Sequence, residues 1–206
     1  MKTARAEAAD RRYLPRPVTK PAPPFRVLFS NQDILRRSHE LVRELQASLG
    51  DEPPCLVQVI HGARPFARVV QTGLPGDLPM HEVRAKSYNG TESTGDVTIA
   101  MLGELDGAVV EGRDVVLLED IVDTGRTIAA LREHFGELGA RSVRVASLLS
   151  KPSRRVVDVD VEYIGFEIPD EFVIGFGMDL DERYRELPDV VIYDAEIERA
   201  HQSVNA

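Results

Sequence analysis

The segment from Val115 to Thr127 limits the possible folds more than any other part of this sequence. It starts with four consecutive branched apolar residues and continues directly into Glu119-Asp-Ile-Val-Asp-Thr-Gly-Arg-Thr127. A strand that is apolar on both faces is typical of a parallel sheet covered by helices on each side. A helical pattern over residues 128–138, closed by Gly139, and a second apolar run at Val143–Leu149 follow. Together they predict a β-loop-α-β unit with parallel strands and a right-handed crossover.

The remaining patterns predict one α/β domain over residues 25–194. Ser30 is a candidate N-cap for a helix that ends near Gly50, and Pro65 suits the first turn of a second helix. The small, polar stretch Ser87–Gly95 predicts a mobile loop. Further strands, the late ones in a smaller subregion, are expected around Cys55–Ile60, Glu82–Ala85, Val97–Leu102, Val161–Gly165, Phe172–Phe176 and Val190–Tyr193.

Both ends of the sequence fall outside this predicted domain. Residues 1–24 combine basic side chains with five prolines, and we expect an extended or disordered leader there. An arginine-rich transit peptide is the alternative, but Glu7 and Asp10 argue against it because such peptides avoid acids. Residues 195–206 are expected to form a C-terminal tail.

Composition narrows the classes of function. The net charge of -9 argues against general nucleic-acid binding, which usually requires a basic surface. A single cysteine, Cys55, excludes an internal disulfide framework and a zinc site made of several cysteines. The sequence contains neither an apolar stretch of the roughly 20 residues that span a bilayer nor the apolar core of a secretory signal. We therefore expect a cytoplasmic protein that binds neither membrane nor nucleic acid.

Three acids occupy the position where parallel sheets bind their ligands. Such ligands lie beyond the carboxyl ends of the strands, and Glu119, Asp120 and Asp123 follow the apolar run there. Carboxylates in this position suit sugar hydroxyls and a hydrated magnesium ion. The turn Asp123–Thr127 offers backbone N–H groups, hydroxyls and a guanidinium to a phosphate. The alternative, a helix cap with ordinary surface acids, does not explain why acids, glycine and hydroxyls coincide in one strand-to-helix turn.

Val115–Thr127 resembles the phosphoribosyl pyrophosphate (PRPP) binding motif of type I phosphoribosyltransferases. In that motif an apolar strand leads into two acids, two apolar residues, a third acid and a glycine-bearing loop. The similarity extends from about Phe25 to Asp194, and it implies a single type I phosphoribosyltransferase domain with a small hood subregion and a flexible active-site loop. Segments that resemble the hypoxanthine-guanine branch are Lys151-Pro-Ser, Tyr163–Phe176, Asp179, Arg183-Tyr-Arg185, and Ser87-Tyr88 with Ser93–Asp96.

The resemblance implies transfer of the phosphoribosyl group from PRPP to a 6-oxopurine, hypoxanthine or guanine, in purine salvage. Glu119 and Asp120 would hold the ribose hydroxyls and, through water, Mg2+, which neutralises the departing pyrophosphate. Asp123 would act as general base at N7 of the purine. The 5′-phosphate would bind to the turn formed by Asp123, Thr124, Gly125, Arg126 and Thr127.

Residues outside the motif are implied to contact the purine and the pyrophosphate. Lys151 would contact the 6-oxo group, Phe172 would stack on the purine, and Val173 would offer backbone hydrogen bonds. Asp179 would bind a second magnesium ion or line the purine pocket. Arg185 would contact the pyrophosphate.

Two further positions concern the lid and the first pyrophosphate loop. Ser87 and Tyr88 belong to the implied active-site loop, which would exclude water from an oxocarbenium-like transition state. His61-Gly62 departs from the family pattern, which usually has lysine or arginine before the glycine. An imidazole is less often charged than lysine at neutral pH. Compared with a typical family member, pyrophosphate binding there is therefore expected to be weaker or more pH-dependent, unless the contact is mostly carried by the backbone.

Alternative functions remain open at this point. A sister enzyme could use xanthine or another base on the same sugar-phosphate site. A non-catalytic regulator of the same fold could bind PRPP, nucleotides or RNA, although the acidic charge argues against RNA. His61 leaves open a degenerate PRPP sensor. The resemblance also implies a homo-oligomer, a dimer or a tetramer.

Overall fold

A six-stranded sheet forms the centre of the computed structural model, which describes residues 23–50, 52–87, 97–102 and 105–204. Along the chain the strands are β1 (Arg26–Phe29), β2 (Cys55–Val59), β3 (Met80–Ser87), β4 (Val97–Leu102), β5 (Asp114–Val122), β6 (Ser142–Ser150), β7 (Tyr163–Glu167), β8 (Val173–Ile174) and β9 (Val190–Ile192). The central sheet has the order β4-β3-β2-β5-β6-β7. Its neighbours are parallel except for the antiparallel pair β3 and β4, so the predicted parallel sheet is confirmed.

Helices pack on both faces of this sheet. The α-helices of the described residues are α1 (Asn31–Ser48), α2 (Arg64–Gly73), α3 (Gly107–Val110), α4 (Arg126–Glu137) and α5 (Ala195–Val204). In β5, Val116 and Leu118 belong to the same apolar cluster as the core side chains of α1 and α2. Val115 and Leu117 belong to the cluster that contains the core side chains of α4. The apolar run therefore faces helices on both sides, as its composition predicts. Within the described ranges, no helix has both the length and the apolar character needed to span a bilayer.

Local signals account for the start of α1 and the end of α4. The hydroxyl of Ser30 accepts a hydrogen bond from the backbone N–H of Asp33 at 3.2 Å, as expected of an N-cap. Gly139 follows α4 with φ at +81°, the left-handed conformation that commonly ends helices. The chain can then turn directly into β6.

A second, three-stranded antiparallel sheet, which we call the small sheet, has the order β1-β9-β8. The predicted late subregion is confirmed for β8 and β9, whereas β7 joins the central sheet. The predicted strand Phe172–Phe176 is shorter than expected because Gly175 and Phe176 adopt φ values of +93° and +47°. The sequence did not predict β1, which is too short to show a periodic pattern and pairs only with the distant β9. Residues 195–204, within the predicted tail, form α5.

A charged cluster fixes the amino end of β5. Nη2 and Nε of Arg141 lie 2.9 Å and 3.1 Å from the carboxylate oxygens of Asp114, and the hydroxyl of Ser142 donates to the same carboxylate at 2.6 Å. These hydrogen bonds lower the pKa of Asp114 from 3.8 to about 2, and the bonding to Arg141 has the largest effect. Ionised Asp114 therefore stabilises the fold above about pH 4, and this contribution is lost as the pH falls toward 2.

Asp114→Asn is expected to lower the free energy of unfolding at pH 7 by about 2 kcal/mol, because hydrogen bonds to a charged acceptor are lost. The difference from the unmodified protein should shrink between pH 4 and pH 2, where Asp114 itself becomes protonated. Urea unfolding at pH 7 and pH 3 measures both values. Asp77→Asn, which removes an exposed carboxylate, is the control. An equal destabilisation by both substitutions, or a difference that does not depend on pH, would contradict the stabilising role of ionised Asp114.

Candidate active site

The carboxyl ends of β2 and β5 meet at the predicted acidic site. The loop after β2, in which the Ile60–His61 peptide bond is cis, brings Gly62 against Asp120 near the end of β5. A Cβ on Gly62 would lie 1.7 Å from Oδ2 of Asp120, so glycine lets the Asp120 carboxylate approach the loop backbone closely. Residues that are far apart in the sequence therefore belong to one site.

The charges of the adjacent carboxylates Glu119 and Asp120 are only partly compensated. Glu119 is buried, and its Oε2 has no hydrogen-bond partner in the described part of the chain. Burial, and secondly the charge of Asp120, raises the pKa of Glu119 well above its usual value. Burial also raises the pKa of Asp120 from 3.8 to about 6, although backbone hydrogen bonds and Arg185 favour its ionised form. A cation or a set of hydroxyl donors would supply what this pair lacks.

The donor set fits magnesium better than a metal that needs a complete protein cage. Among the residues that the structure describes, no group of three or more His, Cys, Asp or Glu side chains is placed to hold an ion. Magnesium commonly takes one or two carboxylates and completes an octahedron with waters and substrate phosphates. The unpartnered Oε2 of Glu119, beside Asp120, is consistent with such a site.

The turn Asp123–Thr127 connects β5 to α4 and leaves the amino end of the helix without a side-chain cap. Gly125 is the N-cap residue, with φ at +85°, and supplies no capping side chain. The carbonyl of Thr124 accepts hydrogen bonds from the N–H groups of Val156 and Val157 at 2.9 Å and 3.1 Å, which fixes the turn. The N–H of Arg126, the first residue of α4, makes only a long hydrogen bond of 3.5 Å to the hydroxyl of Thr124. Because the N-cap supplies no side chain, the first turn of α4 can offer N–H groups to an anion, and the helix dipole favours a negative charge there.

Asp123 and Lys151, the predicted base and the predicted purine contact, are linked through two residues that the sequence did not single out. Nε of Arg154 donates to Oδ1 of Asp123 at 3.2 Å, and Nη1 of Arg154 lies 3.5 Å from Oδ2 of Asp170. Nζ of Lys151 lies 3.8 Å from Oδ1 of Asp170. Lys151 is buried, and a buried ammonium is costly unless it is well paired. The loose contact with Asp170 therefore leaves Lys151 in need of another acceptor.

Arg155 holds the ends of β5 and β6 together. Its Nη1 donates to the carbonyl oxygens of Val122, at 2.5 Å, and of Asp123, and its Nη2 donates to the hydroxyl of Ser150 at 2.9 Å. Asp123 thereby receives support at its backbone as well as at its side chain. The sequence shows only two adjacent arginines shortly after Lys151, and no spacing rule indicates that the second one turns back onto the strand ends.

The turn between β8 and β9 brings the predicted pyrophosphate residue to the same site. Nη2 of Arg185 pairs with Oδ1 of Asp179 at 2.8 Å, and its Nη1 donates to the carbonyl of Gly177 at 2.8 Å. A Cβ on Gly177 would lie 2.1 Å from the carbonyl oxygen of Gly62, so this turn packs directly on the loop after β2. Asp179 and Arg185 are close enough to Asp120 to shift its pKa in opposite directions.

Phe172 and Val173, the other predicted purine contacts, lie at the start of β8. Phe172 is 52% exposed, and its ring forms a T-shaped contact with the ring of Tyr193 at a centroid distance of 5.8 Å. Val173 is buried and pairs with Ile192 across the small sheet. An aromatic ring that is supported on one side and exposed on the other suits stacking with a flat heterocycle.

The remaining predicted residues lie at the edges of this arrangement. His61 is exposed, and its carbonyl accepts a hydrogen bond from Arg64 at 3.4 Å. Ser87 is the last residue of β3 and pairs in register with Val97 of β4. Tyr88 lies outside the described residues, so the role of the loop that starts there stays a prediction.

Comparisons with known proteins match most of the chain. A family model described as a phosphoribosyl transferase domain matches residues 27–182. A hypoxanthine-guanine phosphoribosyltransferase of Streptococcus thermophilus is 41% identical over 173 residues, which are 84% of this chain and 94% of that protein. A crystal structure of a hypoxanthine phosphoribosyltransferase from Staphylococcus aureus is similar at a TM-score of 0.76 and 33% identity, covering 83% of this chain and 92% of that one.

A third relative is similar beyond the matched family domain. A Trypanosoma cruzi hypoxanthine phosphoribosyl transferase, solved to study how its C-terminal region affects oligomeric state and activity, is similar at a TM-score of 0.77 and 26% identity. The similarity covers 89% of this chain and all of that one.

Proposed function

Because the chain belongs to the phosphoribosyltransferase family, we propose that it transfers the phosphoribosyl group of PRPP to hypoxanthine or guanine and releases pyrophosphate. Phosphoribosyl transfer in purine salvage follows from the family and from the names of the relatives. The observation that carries the proposal is the unpartnered Oε2 of buried Glu119, next to Asp120 and beside a helix N-terminus without a side-chain cap. This combination matches a sugar hydroxyl pair and the phosphate attached to the same sugar.

In this proposal the sugar phosphate binds across the ends of β5 and α4. The turn Asp123–Thr127 binds the 5′-phosphate through backbone N–H groups and hydroxyls, and Glu119 and Asp120 accept hydrogen bonds from the ribose hydroxyls. Magnesium, held through water by these two acids and in a second site by Asp179, would neutralise charge on the departing pyrophosphate. Arg185 and the loop His61-Gly62 bind that pyrophosphate from the opposite side.

The purine binds between the residues linked through Arg154. Asp123 takes the proton at N7 while N9 attacks the sugar, and its Oδ1 is held by Arg154. A carboxylate in this position also offsets positive charge that develops on the sugar ring. The buried ammonium of Lys151 prefers a 6-oxo group, which accepts a hydrogen bond, over an amine, which donates one. Phe172 stacks on the purine, and the backbone of Val173 completes its hydrogen bonds.

Three further features belong to the proposal. The loop that contains Ser87 and Tyr88 closes over the sugar and excludes water, which would otherwise hydrolyse PRPP. The chain forms a dimer or a tetramer, in keeping with the interest in oligomeric state for the Trypanosoma cruzi relative. The protein acts in the cytoplasm on small molecules, and its net charge of -9 disfavours nucleic acid as a partner.

A spectrophotometric assay with PRPP and magnesium tests the proposed function. We expect turnover with hypoxanthine or guanine and much less with adenine. Lys151→Met should reduce kcat/KM for the 6-oxopurine by about 10- to 100-fold, since a charged hydrogen bond to the base is lost. Arg43→Met, which removes an exposed positive charge from α1, is the matched control. Xanthine as the preferred base would indicate the sister enzyme, and PRPP binding without turnover of any base would indicate a regulator.

A further inference from the structure

Glu198 on α5 is a buried carboxylate that lies beyond the residues matched by the family domain. It is 6% exposed and accepts hydrogen bonds from the hydroxyl of Tyr184 at 2.5 Å and from that of Tyr193 at 2.6 Å. Arg183 also donates to it, and Gln202 donates at 3.3 Å. Hydrogen bonds from the two tyrosines are the main reason why the pKa of Glu198 lies below its usual value. Glu198 is therefore a fully paired anion in the folded protein.

The contacts of Glu198 form two branches, one through each tyrosine, and the branch through Tyr193 leads to the proposed purine site. Tyr193, which donates to Oε2 of Glu198, supports Phe172 in two ways. Its ring makes a T-shaped contact with the phenyl ring, and its backbone N–H donates to the carbonyl of Phe172 at 2.9 Å. Phe172 has no comparable burial of its own, since half of its side chain is exposed. The orientation of the stacking ring therefore depends on where Tyr193 is held.

The other branch leads to the proposed pyrophosphate site. Tyr184 donates to Oε1 of Glu198 and directly precedes Arg185 in the turn between β8 and β9. In this turn Asp181, Glu182 and Tyr184 adopt φ values of +51°, +62° and +74°. Non-glycine residues keep such conformations only where the surroundings hold them. The bond from Tyr184 to Glu198 supplies that support one residue before the arginine.

The two branches are also packed together. The ring of Phe25 lies 5.5 Å from the ring of Tyr184 and 5.7 Å from that of Tyr193, measured between centroids. Ile174 and Val191 of the small sheet belong to the same apolar cluster. Because Glu198 bonds to both of these packed tyrosines, it fixes the distance between Phe172 and the turn that carries Arg185.

We infer that Glu198 is a positioning residue for the proposed reaction, which sets Phe172 through Tyr193 and Arg185 through Tyr184. The inference rests on the proposed function, because it assigns the purine to one branch and the pyrophosphate to the other. Glu198 contacts neither substrate, and its effect reaches them only through the two tyrosines. α5 is thereby a working part of the active site rather than a peripheral tail.

Separate substitutions of the two tyrosines test this inference, because each should raise the Michaelis constant (KM) for a different substrate. Tyr193→Phe keeps the ring but loses the bond to Glu198, and it should raise KM for the purine roughly 3- to 10-fold with KM for PRPP unchanged. Tyr184→Phe should raise KM for PRPP, and KM for pyrophosphate in the reverse reaction, by a similar factor with KM for the purine unchanged. Glu198→Gln should raise KM for the purine and KM for PRPP. Glu196→Gln, which replaces an exposed acid on the same helix, should raise neither KM.

Hydrogen exchange provides a readout that does not depend on activity. Glu198→Gln should speed exchange at the N–H of Tyr193, which is bonded to Phe172, and at the N–H of Gly177, which is bonded to Arg185. An unmodified protein that turns over no purine would refute the proposed function, while the exchange rates would still test the role of Glu198. Unchanged exchange at both amides would overturn the inference. Tyrosine variants that only lower stability and leave every KM unchanged would overturn it as well.

Discussion

Replacement of Asp123 by asparagine is expected to reduce kcat at least about 100-fold while KM for PRPP changes little. The substitution keeps the size of the side chain, and Oδ1 of asparagine can still accept the hydrogen bond from Arg154. An amide cannot take the proton from N7 of the purine, and it carries no charge to offset the positive charge on the sugar. The loss should therefore appear in the chemical step. Single-turnover kinetics with hypoxanthine or guanine separates this step from product release.

Two comparisons make this result specific to Asp123. Asp77→Asn removes an exposed acid elsewhere on the surface and should leave kcat unchanged. The unfolding midpoint of the Asp123 variant should stay close to that of the unmodified protein, because the exposed pair with Arg154 contributes little stability. A kcat within threefold of the unmodified value would remove Asp123 from the role of general base. A loss of PRPP binding equal to the loss of kcat would point to a role in phosphate binding alone.

Gly177→Ala is expected to lower the free energy of unfolding by about 3 kcal/mol or more. The added Cβ would lie 2.1 Å from the carbonyl oxygen of Gly62 and 2.7 Å from Cδ of Pro65, and neither atom belongs to a flexible side chain. The φ of +99° adds a conformational cost that glycine does not have. Relief of the clash must separate the turn that carries Arg185 from the loop that carries His61, so KM for PRPP should rise as well. Urea unfolding and steady-state kinetics measure the two effects.

Gly136→Ala provides the matched control for this substitution. Gly136 lies in α4, and a Cβ there would meet nothing within 4 Å. Alanine should therefore stabilise the protein by up to about 1 kcal/mol through its higher helix propensity. Equal unfolding free energies for the two variants would show that the turn at Gly177 is not tightly packed against the loop after β2.

Much of the central sheet and its acidic edge could be predicted from the sequence because the signals are local. Four consecutive apolar residues before Glu119 indicate a strand that is covered on both faces, and Ser30 with Asp33 marks the start of a helix. Glu119, Asp120 and Asp123 could be placed near the carboxyl edge of the sheet because they follow the apolar run of a single strand, and ligands of parallel sheets bind beyond that edge. These inferences need only neighbouring residues and one topological rule.

The rest of the site depends on contacts between distant segments. Pairing of β1 with β9 has no local signal, since each strand is only a few residues long. Arg154 and Arg155 look like ordinary surface arginines until the chain folds back and places them on Asp123 and Val122. Glu198 lies in a helical stretch without any motif, and only the fold shows that two tyrosines converge on it. Such roles are set by tertiary geometry, which spacing along the chain does not encode.

The small sheet has a consequence for the synthesis of the protein on the ribosome. The backbone N–H of Asn31, just after β1, bonds to the carboxylate of Asp189, just before β9, across 158 positions of the chain. At a translation rate of about 5–20 residues per second, β1 is synthesised roughly 8–30 s before its partner segment. The central strands β2 to β7 emerge in the meantime and can pair in order. The nascent protein therefore acquires the proposed sugar-phosphate half first, and the small sheet next to Phe172 and Arg185 closes only when β9 leaves the exit tunnel.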